Sequence, residues 1–206
     1  MSKKTFAFPK KEIIRYWKIV LGLFIILGIF YYFILKDLPS PTKLSSSSIP
    51  QSTQIFDRDE KLLYTIYRNK NQTFIPLSKI PKSLQQATIA VEDKDFYKHG
   101  AIDIRGIIRA AYFTAIHKEL QGGSTLTQQL VKTSLLTPER TITRKIKEII
   151  LSFATEIIYP KNKILEMYLN QVPYGGTAYG VEAASLMYFG KPAAALSIAE
   201  SALLAG

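Results

Sequence analysis

The sequence has no cysteine, which removes disulfide staples, thiol redox motifs and thiolate-bound zinc together. Histidine is almost as scarce. Only His99 and His117 are present and no HExxH spacing occurs, so the commonest zinc-hydrolase arrangements are excluded and any metal would take oxygen ligands. No GxxxxGK[ST] loop exists, so nucleotide hydrolysis lacks its usual phosphate cradle. No internal repeat is visible, which argues against a solenoid. Acidic residues are few, 16 against 27 Lys and Arg, for a formal net charge of +11. Much of that excess is local, because Lys3, Lys4, Lys10, Lys11, Arg15, Lys18 and Lys36 flank one apolar run with only Glu12 against them. From Asp37 onward 20 basic face 15 acidic residues, too mild an excess to call for a nucleic acid, and none is expected as a partner.

What is present begins with that run. Residues 19–35, IVLGLFIILGIFYYFIL, hold no charge, and Trp17, Tyr31 and Tyr32 suit the interfacial belt of a bilayer. Cations cluster before the run and not after it, so the positive-inside rule puts a basic tail (1–18) in the cytoplasm and everything beyond the span (19–35) outside. A cleaved signal peptide fits less well, since the run is long for its apolar core and no A-x-A-like site follows. Residues 36–53, including LPSPTKLSSSSIPQST, have no apolar period and read as an extended linker. The domain is expected over 54–206. QIFDRDEKLLYTI predicts a small hairpin around an Asp-Arg-Asp-Glu turn, and the text from Ser83 is mostly helical. The fold class is therefore mainly α with a small N-terminal β-hairpin, preceded by one transmembrane helix.

Three segments offer chemistry. VEDKDFYKHG (91–100) puts Glu92 and Asp93 where a helix meets a loop, beside Phe96 and Tyr97; a partly shielded carboxylate there suits a general base, though alone it reads as readily as a solvated helix end. In QGGSTLTQQLVK (121–132) the pair Gly122 and Gly123 frees the backbone before Thr125 and Gln128, which form a capping-box pattern. Ser124, Gln128 and Lys132 recur every fourth residue, a polar track ending in a cation, and helix-start amides plus a lysine suit a phosphate. In ERTITRKIKEI (139–149) Arg144 and Glu148 lie one turn apart with Arg140 a turn earlier, either a surface ion pair or an acid held among cations beside an anionic ligand.

Together, E-D-x-x-F-x-x-H-x-G, G-G-S-T-L-T-Q-Q-L-V-K, R-K-x-x-E and I-L-E-x-Y-L-N (164–170), in this order, resemble the peptidoglycan glycosyltransferase domain (glycosyltransferase family 51) of class A penicillin-binding proteins and their monofunctional relatives. YGVEAASLMYFGK and AESALLAG continue the likeness, which covers roughly 54–206. The resemblance implies a lysozyme-like fold and a hexosyltransferase that polymerises lipid II into glycan strands by inverting transfer, releasing undecaprenyl pyrophosphate, for cell wall biogenesis and cell shape. It implies Glu92 as catalytic base and Glu148 as the second catalytic Glu, placed near the pyrophosphate to orient the cations or hold a divalent ion, with Ser124, Gln128, Gln129, Lys132, Arg140, Arg144, Lys145 and Asn170 contacting substrate. Asp93, Phe96, His99, Gly122, Gly123, Thr125, Glu166 and Tyr168 would support them, Phe96 by packing and His99 as a hydrogen-bonded brace. Glu166, Tyr168 and Asn170 either shape the donor cleft or pack the helix. No cofactor or nucleotide sugar is called for, while a divalent cation such as Mg²⁺ on Glu148 is compatible. Lipid II, the lipid-linked strand, the membrane and other cell-wall synthesis proteins are the implied partners, and the bacterial cytoplasmic membrane is the implied location, with one span, the N-terminus inside and the catalytic domain extracytoplasmic.

The apolar FTAIHKELQ (113–121) before the glycine pair is a candidate to dip into lipid. The family's last motif is expected beyond Gly206, so the sequence reads as the N-terminal part of a longer protein, and it contains no transpeptidase module. A lytic transglycosylase would also need a carboxylate beside a sugar cleft, but cleaving a neutral bond needs no pyrophosphate cradle of the Lys132 and Arg144 kind. A non-catalytic membrane scaffold would have no need of both Glu92 and Glu148.

Overall fold

Residues 10–45, 51–59, 62–117 and 122–206 are described by the computed structural model, in which the chain divides into two units, Met1–Leu38 and Pro39–Gly206. In the first, unbroken aliphatic and aromatic sequence without proline forms helix α1 (Lys10–Phe30), which continues into a π-wound turn, Tyr31–Leu35. Mean hydropathy over Arg15–Leu35 is 2.4, and Trp17, Phe24, Ile26 and Tyr32 are each at least 60% exposed. Over Arg15–Leu35 the side chains are mostly apolar and exposed among the described residues, and about 30 Å of rise makes this stretch long enough to cross a membrane.

The second unit begins earlier than the sequence predicts. The stretch 36–53 is not an extended linker throughout. A 3₁₀ turn, Pro41–Leu44, is capped by Ser40 and buries Leu44 completely, and the Gln171 side chain donates to the Leu44 carbonyl at 2.9 Å. Ser52 is tied in as well, its hydroxyl accepting the Gln72 N–H at 2.8 Å. A proline and one leucine suffice to dock a polar segment when a groove between helices receives them; residues 46–50 lie outside the described residues.

The expected hairpin forms: β1 (Thr53–Phe56) pairs antiparallel with β2 (Leu62–Ile66), with an irregularity at Ile55 and Phe56. Two short strands, β3 (Asn71–Gln72) and β4 (Ala178–Tyr179), pair in parallel. The rest is helical: α2 (Lys82–Glu92), α3 (Ile104–His117), α4 (Leu126–Leu135), α5 (Ile142–Ile158), α6 (Lys161–Gln171), α7 (Val181–Phe189) and α8 (Ile198–Ala205). Helix α6 is central, with Ile164, Leu165, Met167 and Leu169 almost fully buried, so its sequence shows little amphipathic period. Helix α4 packs on α5 and α6 through Leu126, Leu130 and Val131, each burial stabilising by roughly 1.5–3 kcal/mol. Helix α2 packs on α8, where Ser83 and Ser201 hydrogen-bond at 3.0 Å. These contacts aim the C-terminus of α2 and the N-terminus of α4 at one place.

The chain between α6 and α7 turns at Gly180, whose φ of +78° lies in the region that side chains avoid. A Cβ there would come within 2.5 Å of the Asn170 carbonyl oxygen. Gly180→Ala is therefore expected to destabilise the unit by about 2–3 kcal/mol, measurable as a lower urea midpoint at unchanged slope. Helix α3 exposes Ile104, Ile107, Ile108, Tyr112 and Ile116. Of the segment considered for lipid contact, Ile116 is exposed and Phe113 half-buried, while 118–121 lie outside the described residues.

Candidate active site

Glu92 is the last residue of α2 and Asp93 leaves the helix with φ −160° and ψ 71°. That backbone turn sends neighbouring carboxylates to different environments. Asp93 is buried, its Oδ2 accepting the Leu126 N–H of α4 at 3.0 Å and its Oδ1 meeting His99 Nε2 at 2.6 Å. Placed at the start of α4, it satisfies an orphan amide and favours the positive end of the helix. The other ring nitrogen of His99, Nδ1, lies 2.7 Å from the Gly100 carbonyl. Both partners are acceptors, an arrangement that favours the doubly protonated ring. Partial burial opposes that charge, but the hydrogen bonds to Asp93 and Gly100 and the Asp93 charge outweigh it, and His99 titrates above its ordinary 6.5. Phe96 is fully buried, with Lys161 Nζ 4.6 Å from its ring centre. Packing for Phe96 and bracing for His99 is what this geometry provides. The partial shielding expected of Glu92 is not seen, for it is solvent-exposed at the helix end.

A group whose pKa is higher folded than unfolded stabilises the fold below its unfolded value and loses that contribution as pH rises through the folded value. Stability is thus expected to decline as pH climbs above 6.5. His99→Gln should remove this decline, as read from denaturant midpoints collected across the neutral range; equal slopes in both proteins would refute it.

Two cavities meet at Glu92. One, of about 230 Å³, is lined by Glu92, Lys94, Arg109, Gly122, Gly123 and Ser124, with Asp93, Asp103 and Thr125 also on its wall. The other, of about 730 Å³, is walled by Glu92, Thr88, Gln129, Tyr168, Tyr174 and Tyr188. Of the glycine pair only the second is hemmed in, since a Cβ at Gly122 would meet nothing within 4 Å among the described residues. Gly123 lies against α3, where a Cβ would touch the Ala110 methyl at 3.4 Å.

The capping box is formed: Thr125 Oγ1 accepts the Gln128 N–H at 3.2 Å and Gln128 Oε1 accepts the Thr125 N–H at 3.1 Å. Gln128 is consequently buried, and the polar track expected through it is interrupted. Its neighbour Gln129 reaches the other way and donates from Nε2 to Glu92 Oε2 at 2.7 Å. On α5, Glu148 is 2% exposed, with one oxygen bonded by Arg144 Nη1 at 3.3 Å and the other by Lys145 Nζ. Lys145 also lies 3.5 Å from Ser124 Oγ, which ties this ion cluster to the wall of the smaller cavity. A divalent ion on Glu148 would have to displace one of those cations, and among the described residues no three acidic or imidazole side chains gather to hold one. No step below is routed through a metal.

Lys132 and Arg140 are exposed and make no ion pair among the described residues. Asn170, expected at the substrate, is 1% exposed and fully engaged: Nδ2 donates to the Ile75 and Glu166 carbonyls and Oδ1 accepts the Ile75 N–H. Glu166 accepts the Leu77 N–H at 2.9 Å and pairs with Lys163. For these two the geometry supports the helix-packing alternative, since they clamp residues 75–77 onto α6. Arg109, Thr88 and Tyr174 were not singled out from the sequence. Arg109 alone carries a signal, a cation one turn beyond Gly106 on the helix against which Gly123 packs.

Residues 59–206 match the family model described as "Transglycosylase". The chain is 44% identical over 190 residues to penicillin-binding protein 1A of Rickettsia bellii, covering 90% of this chain and 24% of that protein. It is 44% identical over 197 residues to penicillin-binding protein 1A of Aquifex aeolicus, covering 95% and 27% respectively. Penicillin-binding protein 1F of Bacillus subtilis is 42% identical over 155 residues, or 75% of this chain and 22% of that protein. The chain thus spans about a quarter of the length of the curated relatives it matches. With a family match over most of its length and an ordered set of motifs gathered at Glu92, the chain belongs to the transglycosylase family.

Proposed function

We propose that the chain is a peptidoglycan glycosyltransferase that polymerises lipid II at the outer face of the bacterial cytoplasmic membrane. The observation that carries this reading is the position of Glu92 between two unlike cavities. The smaller, with Ser124 and Arg109 on its wall and the Lys145 ammonium behind Ser124, suits phosphate oxygens. The larger, walled by three tyrosines, suits sugar rings. In the reaction, Glu92 takes the proton of the acceptor's 4-hydroxyl as that oxygen bonds to the anomeric carbon of the lipid-linked strand. The carbon–phosphate oxygen bond breaks with inversion, its electron pair leaving on undecaprenyl pyrophosphate. Lys132, Arg140 and Lys145 are the cations offered to that charge, Lys145 being already oriented by Glu148. Holding the substrate's polyprenyl tail in the bilayer explains the anchor, with the basic residues ahead of the apolar run 19–35 on the inner side, and the exposed isoleucines of α3 suit the same interface.

The test is incubation of the full-length protein in detergent with lipid II, followed by electrophoresis. Muramidase-sensitive polymer is expected. Absence of polymer, together with cleavage of preformed glycan strands, would replace this reading with a lytic one.

A further inference from the structure

Gln129 makes two hydrogen bonds that share one direction. Its Nε2 donates to Glu92 Oε2 at 2.7 Å, and its Oε1 lies 3.2 Å from Tyr168 Oη. A carboxylate accepts only, so the amide nitrogen must face Glu92, the amide oxygen must face Tyr168, and the phenol must donate. Tyr168 is suited to that role: burial, helped by the negative charge of Glu92, pushes its pKa far above the ordinary tyrosine range, and it is 5% exposed on central helix α6. The chain Tyr168 to Gln129 to Glu92 therefore runs from a rigid helix, through α4, to the end of α2.

Resting on the function proposed above, we propose that Gln129, oriented by Tyr168, is a positioning residue that holds Glu92 in one rotamer. Oε2 is occupied by the amide, and Oε1 is left to receive the 4-hydroxyl proton. An exposed glutamate at a helix end otherwise samples several rotamers, and a base is effective only in the one that reaches the reacting oxygen. The adjacent glutamine has no such role, because Gln128 spends its side-chain oxygen on the α4 cap. A residue that contacts substrate lowers KM; a residue that aligns the base raises kcat.

The experiment measures kcat and KM for lipid II polymerisation by full-length Gln129→Ala, Tyr168→Phe and the double variant, with thermal melts to normalise to folded protein. Gln129→Ala is expected to lower kcat by about 10- to 100-fold with KM little changed. Tyr168→Phe, which keeps the buried ring, is expected to lower kcat by about 3- to 10-fold, and the double variant to match Gln129→Ala because Tyr168 acts only through the amide. Loss expressed in KM with kcat intact, or losses that multiply in the double variant, would overturn the proposal. Glu92→Gln separates the two levels of inference. An inactive Glu92→Gln beside a Gln129→Ala with wild-type kcat refutes the relay alone, a fully active Glu92→Gln refutes Glu92 as the base and the relay with it, and absence of polymer from the unaltered protein refutes the function on which both rest.

Discussion

Glu92→Gln is expected to lower the rate of lipid II polymerisation by about 10³-fold while leaving the fold intact. The glutamine is isosteric and its oxygen can still accept from Gln129, so the local hydrogen bond survives while the proton acceptor is lost. Glu92 is exposed and ends its helix, so the stability change should stay within about 0.5 kcal/mol. Substrate affinity is expected to hold, because the cavity walls on both sides are untouched. Polymer yield per unit time and a urea titration on the same preparation check both halves. A variant that unfolds at the wild-type midpoint yet polymerises at the wild-type rate would end the case for Glu92 as the base.

The second large effect is expected at Glu148→Gln. Its carboxylate is buried and receives Arg144 and Lys145 on separate oxygens, so removing the charge leaves two neighbouring cations with nothing between them. Arg144, with a side chain 17% exposed, is left without its partner while Lys145, at 45%, is solvated, so a cost of about 1–3 kcal/mol is expected. Lys145 is more exposed than Arg144 and should swing into solvent, away from Ser124 and the smaller cavity. Polymerisation per folded molecule is then expected to fall by about 10²-fold, because the charge offered to the departing pyrophosphate is no longer preorganised. A midpoint shift without a rate loss among folded molecules would show that Glu148 serves the fold alone.

How much of this was readable beforehand depended on distance along the chain. Thr125 and Gln128 are three residues apart, and their capping box follows from helix geometry whatever surrounds it. The pairing of β1 with β2 is equally local, and so is the apolar run read at 19–35, which lies within a helix long and apolar enough over 15–35 to cross a membrane. The sequence marks Gln128 as the cap partner, yet it stands beside Gln129 among the implied substrate contacts. They differ because one faces its own helix cap and the other faces a carboxylate 37 residues earlier, which only the packing of α2 beside α4 arranges. For Asn170 and Glu166 the sequence left two readings open for the same reason: their partners, Ile75 and Leu77, are 95 and 89 residues away. Leu44 gave no sign of burial in a Ser- and Pro-rich stretch, because its groove is built from α4, α5 and Gln171.

The apolar N-terminal helix, the helix caps and the ordered motifs with their family likeness come from residue type and spacing alone, because hydropathy and capping are properties of contiguous segments. The division of labour within each motif came from the tertiary structure. The backbone turn at Asp93 buries one carboxylate and exposes the other, and helices distant in sequence supply the hydrogen bonds that give Glu92, Gln129 and Glu148 their different surroundings.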